Sequence, residues 1–344
     1  MKKVWITLGV ILGIVVCLIG GGFVFANYLI DSTLGQMVTT ESVEREEVSV
    51  APEVMEKEKE TKVINIAVFG LDKNGDGSNG RSDAMKILSL DTKNNLAKVT
   101  SLQRDNLIYI PGEVQDFDKL NHAYAYGGAK LAMQTFNYNF DLDITRYVTF
   151  DFDAIEKIVD AVGGIELMIK DYEVSHMNGY IGTSGNKISS AGLQHLTGAQ
   201  AMGYMRIRYA DSDYVRMERQ TNVMKAIFTK LKETSYTQLL TLLNEMLPYI
   251  ETNLSKDEII NLGMEALKVD LSNIEQHQLP TNGYSDINHS VSYKGYSPLY
   301  VLNSYQVVVS ELHRDIYGDE DYQPSETVIK NEAAIYEKFG YVNK

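Results

Sequence analysis

The chain has 344 residues, of which 44% are hydrophobic, and carries a formal net charge of −14. That apolar share can bury a substantial core in one large domain or two smaller ones, and the acidic balance excludes general nucleic-acid binding, which needs a broad basic surface. The only cysteine, Cys17, sits in an apolar N-terminal run, which removes disulfides, thiol nucleophiles and thiolate metal sites from the rest of the chain.

Lys2 and Lys3 precede residues 4–30, a nearly uncharged run of 27 residues. About 20 suffice to span a bilayer. Lysines before the run and Asp31 after it predict a cytoplasmic N-terminus with the remainder outside the cell. A cleaved signal peptide is the alternative, and Val24-Phe25-Ala26 loosely fits a cleavage site, but the apolar run continues past it and favours a retained anchor. Residues 31–62 hold nine acidic and four basic side chains and read as a solvated stalk or short charged helix.

Residues 63–70 are β-branched and apolar enough for a buried strand. The loop that follows offers two decoys. Gly75, Gly77 and Gly80 match G-x-G-x-x-G, but a strand, not a helix, is predicted after them, so no helix N-terminus would receive a pyrophosphate. Asp72, Asn74, Asp76, Gly77 and Asp83 match parts of a calcium loop, but without flanking helices and with Asp at its last position. What survives is a glycine-rich loop with carboxylates, able to hold a hard cation. Strands at 84–90 and 97–102 follow, and Arg81, Asp83, Arg104 and Asp105 fall where strands end in loops, where functional residues often sit. Two Arg/Asp pairs closing strand ends would look the same.

Lys119 to Tyr124 opens a helical region that runs through Gly127-Gly128 toward Phe140. A strand at 144–150, a helix at 154–162 capped by Gly163-Gly164 and a strand at 165–169 complete an alternation that argues for a mixed sheet flanked by helices. Residues 171–191 read as a long polar loop. Ser184 and Lys187 within it form an isolated Ser-x-x-Lys with no Lys-Thr-Gly partner. Residues 192–205 read as one helix. Further helices are expected near 238–249, 256–267 and 304–315, with strands and loop at 274–279 and 290–302. A loosely held polar tail is expected beyond Tyr317.

Residues 206–220 reverse the local sign of charge, with Arg206, Arg208, Arg216, Arg219 and Gln220 in fifteen positions. Arg206 and Arg208 share a side only on extended backbone, and Arg216, Arg219 and Gln220 stand at helical spacing. Met217, Thr221, Met224, Phe228 and Leu231 supply the apolar stripe of that helix. Guanidinium forks aimed together suit phosphate oxygens. A solvated surface pairing these arginines with Asp211, Asp213 and Glu218 accounts equally well for the spacing.

Gly70-Leu71-Asp72, Arg81-Ser82-Asp83, Ser101 to Asp105, Lys119 to Tyr124, Val162-Gly163-Gly164 and Met205 to Gln220 occur in that order. With the N-terminal anchor, this set resembles the LytR-CpsA-Psr family of Gram-positive envelope proteins. The resemblance covers roughly residues 63–313. It implies an α/β domain with a mixed central sheet flanked by helices (an α-β-α sandwich) after one transmembrane helix. The implied activity is a phosphotransferase that moves an anionic glycopolymer, such as teichoic acid or capsule, from a polyprenyl pyrophosphate carrier onto peptidoglycan, with magnesium, or manganese in its place. On matching positions Asp72 and Asp83 would hold the metal, while Arg81, Arg104, Lys119, Arg206, Arg208, Arg216, Arg219 and Gln220 would serve the pyrophosphate, with Arg219 the one that could face elsewhere. Arg104, Arg206 and Arg208 would stabilise the charge that develops in transfer, and Asp213 or Asp105 would be the general base. The family commonly has proline where this chain has Gln103.

The expected organisation is a cytoplasmic N-terminus at 1–3, an anchor at 4–30, an acidic extracellular linker at 31–62, the catalytic domain at 63–316 and a polar tail at 317–344. The implied partners are the lipid-linked glycopolymer, the peptidoglycan acceptor and the membrane, with no nucleic acid. A pyrophosphatase using water as acceptor and a membrane-anchored regulator or lipid-binding module are the alternatives.

Overall fold

The structure is a computed structural model. It describes residues 38–72, 81–181, 186–207, 210, 215–216, 218–220, 222–223, 226–227, 230, 250–255, 257–259, 261–262, 265, 275–281 and 283–343. The expected anchor lies outside these residues; among those described, no helix is long and apolar enough to cross a membrane.

In chain order, β1 (Val38–Thr39) and α1 (Lys57–Thr61) precede β2 (Val63–Asp72), β3 (Arg81–Asp91), β4 (Leu96–Leu102), β5 (Leu107–Ile110) and β6 (Asp116–Lys119). Then come α2 (His122–Phe140), β7 (Arg146–Asp151), α3 (Phe152–Ala161), β8 (Ile165–Ile169), α4 (Asp171–Tyr180), β9 (Gly192–Leu196) and α5 (Gly198–Met205). The remainder carries β10 (Ile250–Thr252), β11 (Glu275–Leu279), β12 (Ile287–Tyr293), β13 (Tyr296–Leu302), α6 (Tyr305–Tyr317) and α7 (Glu326–Phe339). The chain divides into a sheet unit, Thr39–Thr149 with Thr252–Leu254 and Glu275–Lys344, and a helical unit drawn from Phe150–Glu251 and Ser255–Ile274.

The main sheet has seven strands in the order β1-β10-β7-β2-β3-β4-β11. It is mixed, as expected: β2, β3 and β4 pair antiparallel, and β11 joins β4 in parallel. The β3–β4 turn forms because Asp91 Oδ1 accepts from the N–H groups of Lys93 (3.1 Å) and Asn94 (2.8 Å), a local bond that competes with strand pairing. Strand alternation sends Ala67, Phe69, Leu71, Met85 and Ile87 into one core, where α2 contributes Met133, Phe136 and Phe140. Gly127 and Gly128 interrupt α2 with non-helical angles, and Gly128 at φ 63° takes a conformation that other residues rarely adopt. The first turn, which begins at His122, is thereby set at an angle to the long buried part.

Four expectations change here. The segment before β2 is not merely a solvated stalk, since Val48, Val50 and Val54 enter the core of the sheet unit. Three valines among many charges were enough to dock it. Residues 171–180 form α4 and not a loop; only Glu173 and Met177 of that helix are buried, so it carries almost no apolar stripe to read. Residues 192–205 split into β9, which pairs antiparallel with β8, and α5, because Thr197 and Gln200 make a reciprocal capping box that starts a helix at Gly198.

The segment beyond Tyr317 is the fourth. It carries α7, which buries Val328 and Ile335. Its Glu332 reaches the start of α6, where Oε2 accepts from the N–H groups of Tyr305 (2.6 Å) and Gln306 (3.0 Å). Those are donors that the first turn of a helix leaves without an internal partner.

Candidate active site

In the sheet unit the end of β4 is stitched to the segment between β6 and α2. Asn121 N–H donates to the Arg104 carbonyl (3.2 Å), and Leu120 N–H to that of Asn106 (3.0 Å). Tyr300 N–H fixes the next carbonyl, that of Asp105, at 2.9 Å. These backbone bonds bring together side chains that the sequence separates by fifteen positions. Lys119 Nζ donates to Asp105 Oδ1 at 2.6 Å, and Arg104 Nε lies 3.5 Å from Asp105 Oδ2. One carboxylate therefore touches two cations at the strand end. With an oxygen on each cation, Asp105 has the geometry of an orienting group.

Behind this cluster stands an aspartate that the motif reading missed. Asp118 is fully buried and accepts from Tyr126 Oη at 2.6 Å and from Lys119 N–H at 2.8 Å, while its Oδ1 lies 2.8 Å from His122 Nδ1. Burial works to raise its pKa, but the bonds from His122, Tyr126 and the Lys119 backbone outweigh that and hold the carboxyl below its usual range. The signal available in the sequence was an aspartate four residues before His122 on an incoming helix.

The metal candidates stand on the β2–β3 hairpin. Asp72 pairs with Arg81 and Leu71 with Ser82, while Gly70 pairs with Ala84, so Asp83 falls at an irregularity in the ladder. The register thus gathers Asp72, Arg81 and Asp83 at one end of two neighbouring strands. The side chains of these three residues lie outside the described part. The described residues contain no group of three or more His, Cys, Asp or Glu able to hold a metal. The glycine loop of both decoy motifs also falls outside, but the strand predicted after it is present as β3.

In the helical unit, α3 ends at the expected glycine turn, with Gly164 N–H donating to the Val159 carbonyl at 2.8 Å. Helix α5 begins under α3, where Gly198 N–H donates to Asp160 Oδ1 at 2.7 Å, and it delivers Arg206 as its C-terminal cap. Residues 215–216, 218–220, 222–223, 226–227 and 230 are helical, as the stripe predicts, and Arg216 and Gln220 are buried there. Arg208 and Asp213 lie outside the described residues. Arg219 is the motif residue that the sequence allows to face elsewhere. It is 1% exposed, and its Nε donates to the buried Glu173 Oε1 at 2.8 Å, with the guanidinium 5.9 Å from the Tyr204 ring. Three positions along the helix from Arg216, it turns into the unit and becomes part of the interior.

The LytR_cpsA_psr family model matches residues 27–306. The chain is a member of the LytR-CpsA-Psr family. Its relatives include the polyisoprenyl-teichoic acid–peptidoglycan teichoic acid transferase TagU of Enterococcus faecalis, 32% identical over 85% of this chain and 92% of the relative. The TagU of Bacillus mycoides is 32% identical over 80% of this chain and 87% of the relative. Among solved structures, TagT bound to LIIa-WTA is 27% identical and superposes with a TM-score of 0.57 over 74% of this chain and 91% of that one. The family protein YwtF (TagT) with bound octaprenyl pyrophosphate lipid gives 26% identity and a TM-score of 0.54 over 74% and 90%.

Against this LytR-CpsA-Psr background, Gln103 stands out. Its backbone N–H continues the ladder to the Leu279 carbonyl (2.9 Å), but both polar atoms of its side chain are buried and lack a hydrogen-bond partner among the described residues. Asn106 repeats the pattern with both amide atoms, and Asn121 with Oδ1. Buried amides are ordinarily satisfied, and each one left open costs about 1–3 kcal/mol. Such a concentration around Arg104, Asp105 and Lys119 marks this end of the sheet as polar machinery.

Proposed function

We propose that this LytR-CpsA-Psr protein is a membrane-anchored phosphotransferase that moves a teichoic acid or related anionic glycopolymer from a polyprenyl pyrophosphate carrier onto peptidoglycan, outside the cell. The observation that carries the reading is the pair of cations, Arg104 and Lys119, clamped by Asp105 at the end of β4 in a chain that matches the family over residues 27–306. It is supported by relatives named as teichoic acid transferases and by a relative's structure with octaprenyl pyrophosphate bound.

Phosphoryl transfer asks mainly for positioning and charge neutralisation. Arg81, Arg104, Lys119, Arg206, Arg208, Arg216 and Gln220, the family's motif positions, bind the pyrophosphate oxygens. Asp72 and Asp83 would hold magnesium, which would offset phosphate charge. An acceptor hydroxyl on peptidoglycan attacks the sugar-proximal phosphorus, the new P–O bond forms opposite the bridging oxygen, and polyprenyl monophosphate leaves with that oxygen. Asp213 takes the hydroxyl proton, because both oxygens of Asp105 already face cations. Arginines then stabilise the transferring group more strongly than the ground state.

The test is a purified-component assay with lipid-linked teichoic acid and peptidoglycan, following polymer attachment and release of polyprenyl monophosphate. Wild-type protein should transfer, and Arg206→Ala should lose at least about 100-fold in rate, the size expected for removing one transition-state donor. Transfer at the wild-type rate by Arg206→Ala would sink the assignment. Free polymer phosphate formed equally with and without peptidoglycan would mean hydrolysis instead.

A further inference from the structure

A buried cation of the sheet unit lies outside every motif. Lys86 lies mid-strand on β3, only 6% exposed, and pairs in register with Val68 on β2 and Ser101 on β4. Its Nζ donates to Ser101 Oγ at 2.7 Å. No carboxylate pairs with it among the described residues. An ammonium has three donors, so one hydroxyl leaves most of its capacity open. Its surroundings are otherwise apolar: alternate positions on the same sheet face hold Val68, Leu88, Leu90, Ala97 and Val99, all buried. Burial alone pushes the lysine down to about 8, so a bare ammonium there is costly to hold.

Position gives this lysine a direction. Strand alternation from Val99 and Ser101 continues to Gln103, because the Gln103 N–H extends the ladder to Leu279. Lys86, Ser101 and Gln103 therefore form a polar line on an apolar face, leading toward Arg104. From Ser101 to Arg104 is three residues, roughly 10 Å of extended chain. The open amide of Gln103 lies along that line, where the family commonly has a proline. A buried cation and a buried amide, both short of acceptors, are complementary to a ligand rich in acceptor oxygens.

We propose that Lys86, with Gln103 beside it, forms an inner subsite for the phosphate that stays on the polyprenyl carrier. This rests on the transferase reading. Arg104 and Lys119 serve the outer phosphoryl group, whereas Lys86 receives the leaving monophosphate as the bridging oxygen takes up charge. Among the described residues no carboxylate pairs with Lys86, so in this subsite the phosphate is its counter-ion and affinity depends on the phosphate rather than on the hydrocarbon.

The experiment compares binding of a polyprenyl monophosphate and the matching polyprenol to the full chain in detergent, by calorimetry, for wild type and Lys86→Met. Methionine fills the same volume without the charge, so the variant should melt a few degrees higher, about 3 °C. It should bind the monophosphate about tenfold more weakly and the polyprenol unchanged. If Lys86→Met does not fold, Lys86→Gln, which still offers Ser101 an amide, is read the same way. Unaltered monophosphate affinity in the folded variant, or equal losses for both ligands, overturns the subsite. The two readings fail separately. A wild type that binds monophosphate through Lys86 but transfers no polymer refutes the transferase alone, and a transferring wild type whose variant binds normally refutes the subsite alone.

Discussion

Arg219 and Lys86 are both withdrawn from water, at 1% and 6% exposure, but their surroundings treat the charge in opposite ways. Arg219 meets the buried carboxylate of Glu173, whose other oxygen accepts from the Lys170 N–H, so donors and acceptors close on each other. Lys86 meets one hydroxyl and a wall of valine and leucine. A buried charge that is matched from within is architecture; one left open is provision for something that arrives. In the sequence, Arg219 stands within the arginine motif but is free to face elsewhere, and Lys86 stands in a plain strand.

The largest effect that would break this contrast is on stability. Arg219→Ala leaves Glu173 buried and alone, and should cost about 3–5 kcal/mol in chemical denaturation. Arg219→Met with Glu173→Met should recover most of it, because replacing both partners removes the stranded charge. An Arg219→Ala protein as stable as wild type would make Arg219 available to substrate after all.

His313 sharpens the contrast as a third buried base, one that stays neutral. Its ring stacks on Tyr322 at 3.5 Å, and burial pushes its pKa down to about 4. The unfolded chain takes up the proton that the folded chain refuses, so stability should fall as pH drops from about 6.5 toward about 4, by up to roughly 1.4 kcal/mol per pH unit. His313→Phe should flatten this slope in denaturation curves measured across that range.

Smaller still is the effect of loosening the clamp. Asp105→Asn keeps the shape but weakens the hold on Arg104 and Lys119, and transfer should slow about tenfold. A thousandfold loss with bell-shaped pH dependence would move Asp105 from orienting group to general base. At the bottom of the scale stands the exposed Lys330–Glu326 pair at 2.8 Å, whose removal should change neither melting temperature nor transfer measurably.

Much of the main sheet was legible because its strands announce themselves: β2, β3 and β4 carry alternating or continuous apolar side chains between turn signals, as does β8 of the smaller sheet. The Gly163-Gly164 cap and the Arg104-Asp105 strand end were legible for the same reason, as local chemistry at element ends, whereas Lys119 came only with the family resemblance. Helix α4 was not, since two buried residues make no stripe. Strand β9 hid inside a plausible helix because Thr197 and Gln200 were not recognised as a cap. Asp118 and Lys86 could not be found by motif, because what distinguishes them is the partners they have or lack across strands, and that is settled only by register.

The link between Glu332 on α7 and the first turn of α6 also bears on the order of synthesis. The sheet unit begins at Thr39, but its edge strand β11 and both closing helices come from the last 70 residues, Glu275–Lys344. Two of the α6 amides find their acceptor only when residue 332 has been made. Strand β3, which bears Lys86, and the Arg104 segment after β4 are therefore joined by β11 and the two closing helices only once residues 275–339 have been made, and a premature stop after Tyr317 would leave every motif intact in a unit without α7.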